Sequence, residues 1–193
     1  MAYNLRCFRS YEPNMKWKFI LWDTGAGSEC AACNSIETLI NFPYLSEEIN
    51  MMNDLMDNPS FRDYFINRYA DLMNYYFTWD IIETLIDENA DEIEEEIPAQ
   101  KDRWGSPTVA AWNSGVTELK DFFEPRVGYQ RNEIENYFDL NDQVNITIAV
   151  NPPGAGYIKI STIVPENLPW TGVYFDGVPV TLTAIPNPGY TFC

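Results

Sequence analysis

The chain has 193 residues, and its 46% hydrophobic and 15% aromatic content is enough to bury a substantial core, which argues against disorder. The formal net charge is −17, and residues 46–143 alone contribute seven basic and 23 acidic side chains. This acidic segment disfavours nucleic acid and anionic membranes as partners, suits a cationic partner or divalent cations, and is otherwise typical of solvated helices.

The content of histidine and cysteine limits the chemistry. The chain has no histidine, which excludes Ser-His and Cys-His nucleophiles and histidine metal sites. Cys30 and Cys33 have C-x-x-C spacing, but Cys7 and Cys193 are distant in sequence, so incidental cysteines or a local disulfide are favoured over a zinc or redox site. No apolar run is long enough to span a membrane, and no signal peptide is expected at the start.

Two short strands are predicted first, over residues 4–9 and 16–22, with a turn at residues 11–14. Residues 23–34 form a Gly- and Ala-rich loop in this interpretation. A helix over residues 46–57 follows, and Asn58-Pro59 begins the next helix. The apolar residues at helical spacing in that second helix are predicted to face the core: Phe61, Phe65, Tyr69, Leu72, Met73 and Tyr76.

An acidic helix is predicted from Thr78 to Pro98, with Glu94–Glu96 on a solvated face and an apolar stripe of Ile82, Leu85, Ile86, Ile93 and Ile97. Arg103-Trp104 is interpreted as a packed corner between helices rather than a cation–π or partner contact. A helix opening at Ser106-Pro107 is predicted to break at Pro125, and residues 127–138 form a last helix.

Beyond residue 143 the pattern changes to alternating strands, which predicts a small antiparallel β module over residues 143–193. Asp176-Gly177 is typical of a hairpin turn. Trp170 and Tyr174 could stack on a sugar or a partner, but local packing is the favoured interpretation.

The stretch "FILWDTGAGS", residues 19–28, allows three interpretations. Asp23-Thr24-Gly25 resembles an aspartic protease motif, but that chemistry needs two carboxylates sharing a proton, and no second such motif occurs. Gly25 and Gly27 could let a backbone approach phosphate, yet no Gly-Lys-Ser/Thr follows. The third interpretation is a magnesium-holding aspartate at the end of a strand.

The order of segments supports the third interpretation. "KWKFILWDTGAG" is followed by "NPSFRDYFINRYADLMNYYF" and then by "IIETLIDENADEIEEEIPAQKDRWG". This succession, over roughly residues 4–139, resembles the CotH family of spore-coat-protein-H-like atypical protein kinases. The tail of the chain looks like the β module that often follows such regions in secreted bacterial proteins.

The resemblance implies a kinase-like fold that transfers phosphate from ATP to protein serine or threonine with a divalent metal. Asp23 falls on the first aspartate of the family's Trp-Asp-x-Asp motif and is the candidate magnesium ligand. Gly25 stands where the family has its second aspartate. The nucleotide-covering lobe would lie before Met1, so the chain is expected to be inactive alone, and whether it is an enzyme stays open.

The sequence therefore predicts an α+β protein: a short β-hairpin leading into a helical kinase-like C-terminal lobe, residues 1–142, and a small antiparallel β module, residues 143–193. Mg and ATP are the implied cofactors. A protein substrate or surface partner is expected, at the surface of a bacterium or secreted from it. The alternative is a non-catalytic adhesion or scaffold module derived from the same fold.

Overall fold

The computed structural model describes residues 5–12, 14–16, 18–21, 30–37 and 52–192. Within these ranges the chain is α+β, as predicted, with helices and three two-stranded antiparallel sheets. Strand β1 (Leu5–Phe8) pairs with β2 (Lys18–Leu21), which confirms the predicted first hairpin, although both strands are shorter than expected. Asn14 in the connection has a φ of 66°, a left-handed conformation that asparagine tolerates.

Residues 35–37 and 52–56 are also helical, and the residues between these two ranges lie outside the described part of the chain. The second lies in the helix predicted for residues 46–57, of which residues 46–51 are outside the described residues. Helix α1 (Pro59–Tyr75) begins as predicted, because the Asn58 side-chain oxygen accepts hydrogen bonds from the backbone N–H groups of Ser60 at 3.0 Å and Phe61 at 3.4 Å. Proline fits this first turn, where its missing N–H costs no helical hydrogen bond.

The buried face of α1 differs from the predicted aromatic stripe. Ile66, Ala70 and Met73 are buried, whereas Tyr76 lies past the helix end and is 51% exposed. Most of the predicted stripe is only half-buried: Phe61, Phe65, Tyr69 and Leu72. The face is rotated because Asn67 and Asp71 also point inward, where their side chains bond to the loop residues Pro179 and Thr162, far away in sequence.

Helices α2 (Trp79–Glu94) and α3 (Ile97–Trp104) replace the single acidic helix of the prediction. Pro98 does not end a helix, since it lies in the first turn of α3, a position that proline favours. Thr78 occupies the cap position of α2 without a capping side-chain hydrogen bond. The predicted stripe holds at Ile82, Ile86 and Ile97 only, because Leu85 and Ile93 are about half exposed.

Helix α4 (Val109–Tyr137) runs through Pro125, so the predicted break there is wrong. Its start is capped by Thr108, whose hydroxyl accepts a hydrogen bond from the Ala111 N–H at 3.1 Å. Proline removes one helical hydrogen bond, but contacts on both sides hold the helix together. Before the proline, Lys120 pairs with Asp87 of α2 at 2.6 Å, and after it Ile134 is fully buried.

Four strands follow, as predicted: β3 (Gln143–Ile148), β4 (Gly156–Ile160), β5 (Trp170–Phe175) and β6 (Leu182–Pro186). Strand β3 pairs with β5 and β4 pairs with β6, both antiparallel. The hairpin predicted at Asp176-Gly177 is therefore wrong, because the strands on either side of this turn belong to different sheets. The turn itself exists, with Gly177 at a φ of 81°, but turn residues do not specify which strands pair.

One hydrophobic cluster joins the helices and the strands. It combines Ile36 and the inner faces of α1 and α4 with Tyr174 and Phe175 of β5; its other members are Ile148, Ile160, Ile163 and Val178. Residues on both sides of the predicted boundary between 142 and 143 thus contribute to the same core. The division into two domains, residues 1–142 and 143–193, stays a prediction.

Candidate functional site

The predicted metal ligand Asp23, and Gly25 beside it, lie outside the described residues. The description resumes at Cys30, within the range that the sequence predicted as a loop, residues 23–34. Among the described residues, no group of three or more Asp, Glu, Cys or His side chains is placed to hold a metal ion. Among the described residues, a polar cluster that includes residues 31–35 is the nearest in sequence to Asp23.

This cluster, the Arg126 cluster, consists of Arg126, Gln130 and Glu133 of α4, Tyr69 of α1, and Ser35. The Arg126 guanidinium donates to the backbone carbonyls of Ala31 and of Cys33, the latter at 3.1 Å. It also donates to the Ser35 hydroxyl at 2.8 Å and pairs with Glu133 at 3.1 Å. One side chain thus holds residues 31–35 against the middle of α4.

Glu133 and Gln130 complete the cluster through hydrogen bonds to Ser35, to Tyr69 and to each other. The Glu133 carboxylate accepts from the Ser35 N–H at 3.1 Å and from the Gln130 amide. The Gln130 amide oxygen accepts from the Tyr69 hydroxyl at 3.1 Å. Spacing on α4 explains the arrangement, because residues separated by three, four or seven positions share one helix face. Since Glu133 and Gln130 are each only 8% exposed, these hydrogen bonds satisfy groups that would be costly to bury alone.

The electrostatics of the cluster are dominated by burial. Burial raises the pKa of the Tyr69 phenol, the Arg126 charge opposes this rise, and Glu133 adds to it. Tyr69 therefore acts as a neutral hydrogen-bond donor at ordinary pH. The cluster can orient the chain and compensate charge, and its polar groups satisfy one another.

A second cluster, the Asp71 cluster, joins α1 to the strands. Asp71 is fully buried, and its carboxylate accepts from the Thr162 N–H at 2.7 Å, the Thr162 hydroxyl at 2.6 Å and the Tyr174 hydroxyl at 2.7 Å. Arg68 donates to the same Thr162 hydroxyl at 2.6 Å. These bonds span 91 to 103 residues of sequence, so the cluster fixes the helix against the β strands.

Asn74 extends this contact one turn further along α1. Its side chain donates to the Val173 carbonyl at 2.8 Å and accepts from the Val173 N–H at 3.0 Å, so it pairs with β5 as a neighbouring strand would. Arg131 donates to Asn74 at 2.8 Å and to the Val173 carbonyl at 3.1 Å. Burial lowers the pKa of Arg131, and Tyr174 opposes that change.

The fold is expected to lose stability above about pH 10, the ordinary pKa of tyrosine. Burial, and secondarily the hydrogen bond to Asp71, raises the pKa of Tyr174 above that of the unfolded chain. The unfolded state therefore releases this proton first, so the unfolding free energy falls as pH rises, by up to about 1.4 kcal/mol per pH unit. Below pH 10 both states keep the proton and this contribution is fully present.

Urea unfolding between pH 8 and 11 measures this loss. The Tyr174→Phe variant should lose stability overall, since Asp71 loses a donor, but its decline above pH 10 should be shallower. Tyr129→Phe, at a 42% exposed position, is the matched control and should follow the parent. An equally steep decline in Tyr174→Phe would assign the pH dependence to other groups.

The structure tests the surroundings that the sequence analysis predicted for several other residues. Trp104 is 66% exposed rather than packed in a corner, and the Arg103 guanidinium lies 4.9 Å from the centre of its ring. Glu94–Glu96 are exposed, as predicted. Tyr174 is buried and Trp170 half-buried, which confirms local packing. Cys30 and Cys33 form the local disulfide that the sequence allowed.

The two polar clusters themselves were not predicted from the sequence. Arg126, Gln130 and Glu133 lie at spacings of four and three, a signal that helix periodicity could have supplied. Asp71 has no such signal, because its partners are Thr162, in a turn, and Tyr174, in β5, and both lie about a hundred residues away.

A family model described as CotH kinase protein matches residues 2–130, a range that includes Asp23, Asp71 and Arg126. Neither the curated proteins nor the solved structures include a significant match. Among the described residues, no helix is long and apolar enough to cross a membrane.

Proposed function

Because this chain belongs to the CotH kinase protein family, we propose that it takes part in ATP-dependent transfer of phosphate to serine or threonine of a protein, with Asp23 as a magnesium ligand. The observation that carries the proposal is the family match over residues 2–130, which contains Trp22-Asp23 after an apolar strand. We further propose a secreted or cell-surface location in a bacterium. The disulfide between Cys30 and Cys33 supports it, since disulfides persist in oxidising compartments.

The predicted site supplies the smallest number of carboxylates with which magnesium is commonly bound. Magnesium is commonly held by one or two carboxylates together with phosphate oxygens, and Asp23 supplies one carboxylate where the family motif has two. Bound magnesium would neutralise charge on the nucleotide phosphates. Gly25 offers no ligand, so we expect weak binding that depends on Asp23.

The Arg126 cluster supports the proposal indirectly. It fixes residues 31–35, which follow the Asp23 segment, to α4 through two carbonyl contacts and the Ser35 side chain. A metal-binding residue binds its ion more tightly when the backbone around it is already held in position before the ion binds. In this proposal, Arg126 is a positioning residue that restricts the loop without touching metal or nucleotide.

Substitutions at Asp23 and Gly25 test the metal site. Titration calorimetry with ATP, in the presence and absence of Mg²⁺, should show binding that requires Mg²⁺ and weakens by about tenfold or more in Asp23→Ala. Gly25→Asp, which restores the second carboxylate, should strengthen binding by about tenfold.

Two control variants separate a site from the general acidity of the chain. Asp91→Ala removes one exposed carboxylate from α2, and Gly115→Asp adds one on α4, where nothing lies within 4 Å of an added Cβ. Both should leave Mg²⁺-dependent ATP binding unchanged. If Asp23→Ala behaves like Asp91→Ala, the magnesium assignment is wrong.

Gly25 also favours a second candidate, a non-catalytic adhesion or scaffold module. A protein that no longer transfers phosphate would tolerate glycine in place of the second metal-binding aspartate. This alternative predicts no Mg²⁺-dependent ATP binding by the parent chain and no gain from Gly25→Asp. Phosphate transfer from radiolabelled ATP to a protein, abolished by Asp23→Ala, would rule it out.

A further inference from the structure

The disulfide between Cys30 and Cys33 lies on the surface of the protein. Both cysteines are exposed, so a thiolate from outside can reach either sulfur. Exchange requires such an approach to a disulfide sulfur, and exposed disulfides are the ones that are reduced readily. The position is therefore suited to chemistry that a buried structural disulfide would resist.

The loop that carries this disulfide is held by other contacts as well. Arg126 donates to the carbonyls of Ala31 and Cys33, and the Cys33 N–H donates to the Cys30 carbonyl at 3.3 Å. Ile36 is fully buried in the core, and Ser35 bonds to Glu133. These contacts do not depend on the S–S bond, so they would keep the two thiols close together after reduction.

The disulfide is expected to add less to the unfolding free energy than a disulfide that closes a long loop. The stabilisation that a disulfide gives by restricting the unfolded chain grows with the length of the closed loop, and Cys30 and Cys33 are separated by only 3 positions. Global stability is therefore a weak reason for the pair.

Charge near the loop also favours exchange. The Arg126 guanidinium bonds to the backbone carbonyl of Cys33 itself, and a nearby cation stabilises a cysteine thiolate and makes it a better leaving group. Glu133 opposes this effect, because it pairs with Arg126 at 3.1 Å. Arg126 contacts the carbonyls of Ala31 and Cys33 directly, whereas Glu133 contacts the loop at Ser35.

We propose that Cys30 and Cys33 form a reversible thiol–disulfide exchange site whose co-substrate is a dithiol. A thiolate of the dithiol attacks one cysteine sulfur, the S–S bond breaks, and the other cysteine leaves as a thiolate that takes up a proton. The second thiol of the co-substrate then displaces the first cysteine. The protein gains two electrons and two protons, and the co-substrate becomes a disulfide.

Maleimide labelling with mass spectrometry tests the site in a Cys7→Ser, Cys193→Ser background, which leaves only this pair of the four cysteines. We expect no label before treatment and two labels after millimolar dithiothreitol under native conditions. Far-UV circular dichroism should show the helices intact. Glutathione, a monothiol, should give a mixed disulfide that resolves back to the intramolecular bond.

Two results would overturn the proposal: labelling that appears only after addition of urea, or two labels before any reductant.

The rate at which the disulfide forms again after removal of dithiothreitol tests the role of Arg126. Arg126→Met should slow this re-closure about tenfold, because the two thiols are no longer held close together. Lys120→Met, which removes a cation from the same helix away from the loop, should re-close at the parent rate. If Arg126→Met does not fold, Ser35→Ala removes one Arg126 contact and should slow re-closure less. Re-closure at the parent rate in both Arg126→Met and Ser35→Ala would contradict the assigned role of Arg126.

Discussion

Replacing Asp71 with alanine is expected to lower the free energy of unfolding by about 3–5 kcal/mol, a large fraction of the stability of an ordinary protein. The fully buried carboxylate accepts three hydrogen bonds, two from Thr162 and one from Tyr174. Alanine would leave all three donors without this acceptor, and the Tyr174 hydroxyl belongs to a fully buried residue. Each unmade bond of this kind costs more than the net gain of an average hydrogen bond.

Urea unfolding followed by circular dichroism measures this effect, with Asp91→Ala as the control, because Asp91 is exposed on α2. Asp71→Asn retains the volume but directs an amide donor toward other donors, so it should also destabilise strongly. A loss below about 1 kcal/mol in Asp71→Ala would mean that the strands are not held to α1 through this carboxylate.

The second large effect is expected at Glu133, where alanine should cost about 2–4 kcal/mol. The side chain pairs with Arg126 at 3.1 Å and accepts from the Ser35 N–H at 3.1 Å. Because the Arg126 side chain is only 14% exposed, removal of Glu133 leaves a largely buried cation without its ionic partner. The contact between residues 31–35 and α4 should weaken as well.

Glu118→Ala is the matched control, since Glu118 lies exposed on the same helix and makes one hydrogen bond of 3.4 Å to Ser114. Hydrogen exchange adds a local measurement: amides of residues 33–37 should exchange faster in Glu133→Ala, while those of β5 should not change. Unchanged protection at residues 33–37 would show that Arg126 and Gln130 hold this segment without Glu133.

Local signals in the sequence predicted the elements well. Asn58-Pro59 marks the start of α1 because a cap and a first-turn proline act within a few residues of each other. The four strands near the C-terminus were also readable from alternation. Errors arose where the same residue fits two positions: Pro98 can end a helix or begin one, and Pro125 can be carried within a helix whose two halves are packed.

Predictions that depend on distant partners failed for a different reason. Asp176-Gly177 predicts a turn but not the pairing of β5 with β3, which is set by tertiary contacts. The polar clusters depend on contacts across 61 to 103 residues, as between Tyr69 and Gln130 or between Asp71 and Tyr174. Periodicity describes one element at a time, so it favoured the aromatic stripe of α1 over the face that carries Asp71. The predicted ligand Asp23 stays a prediction.

The shared hydrophobic cluster has a consequence for the order of folding during synthesis. Helices α1 and α4 depend mainly on contacts within short stretches of chain and can form as they leave the ribosome. Ile66, Ala70 and Ile134, however, lie in one buried cluster with Tyr174 and Phe175, which are made about 40 to 110 residues later. Until then this apolar surface stays exposed, so the nascent chain passes through a stage in which a chaperone would be of most use.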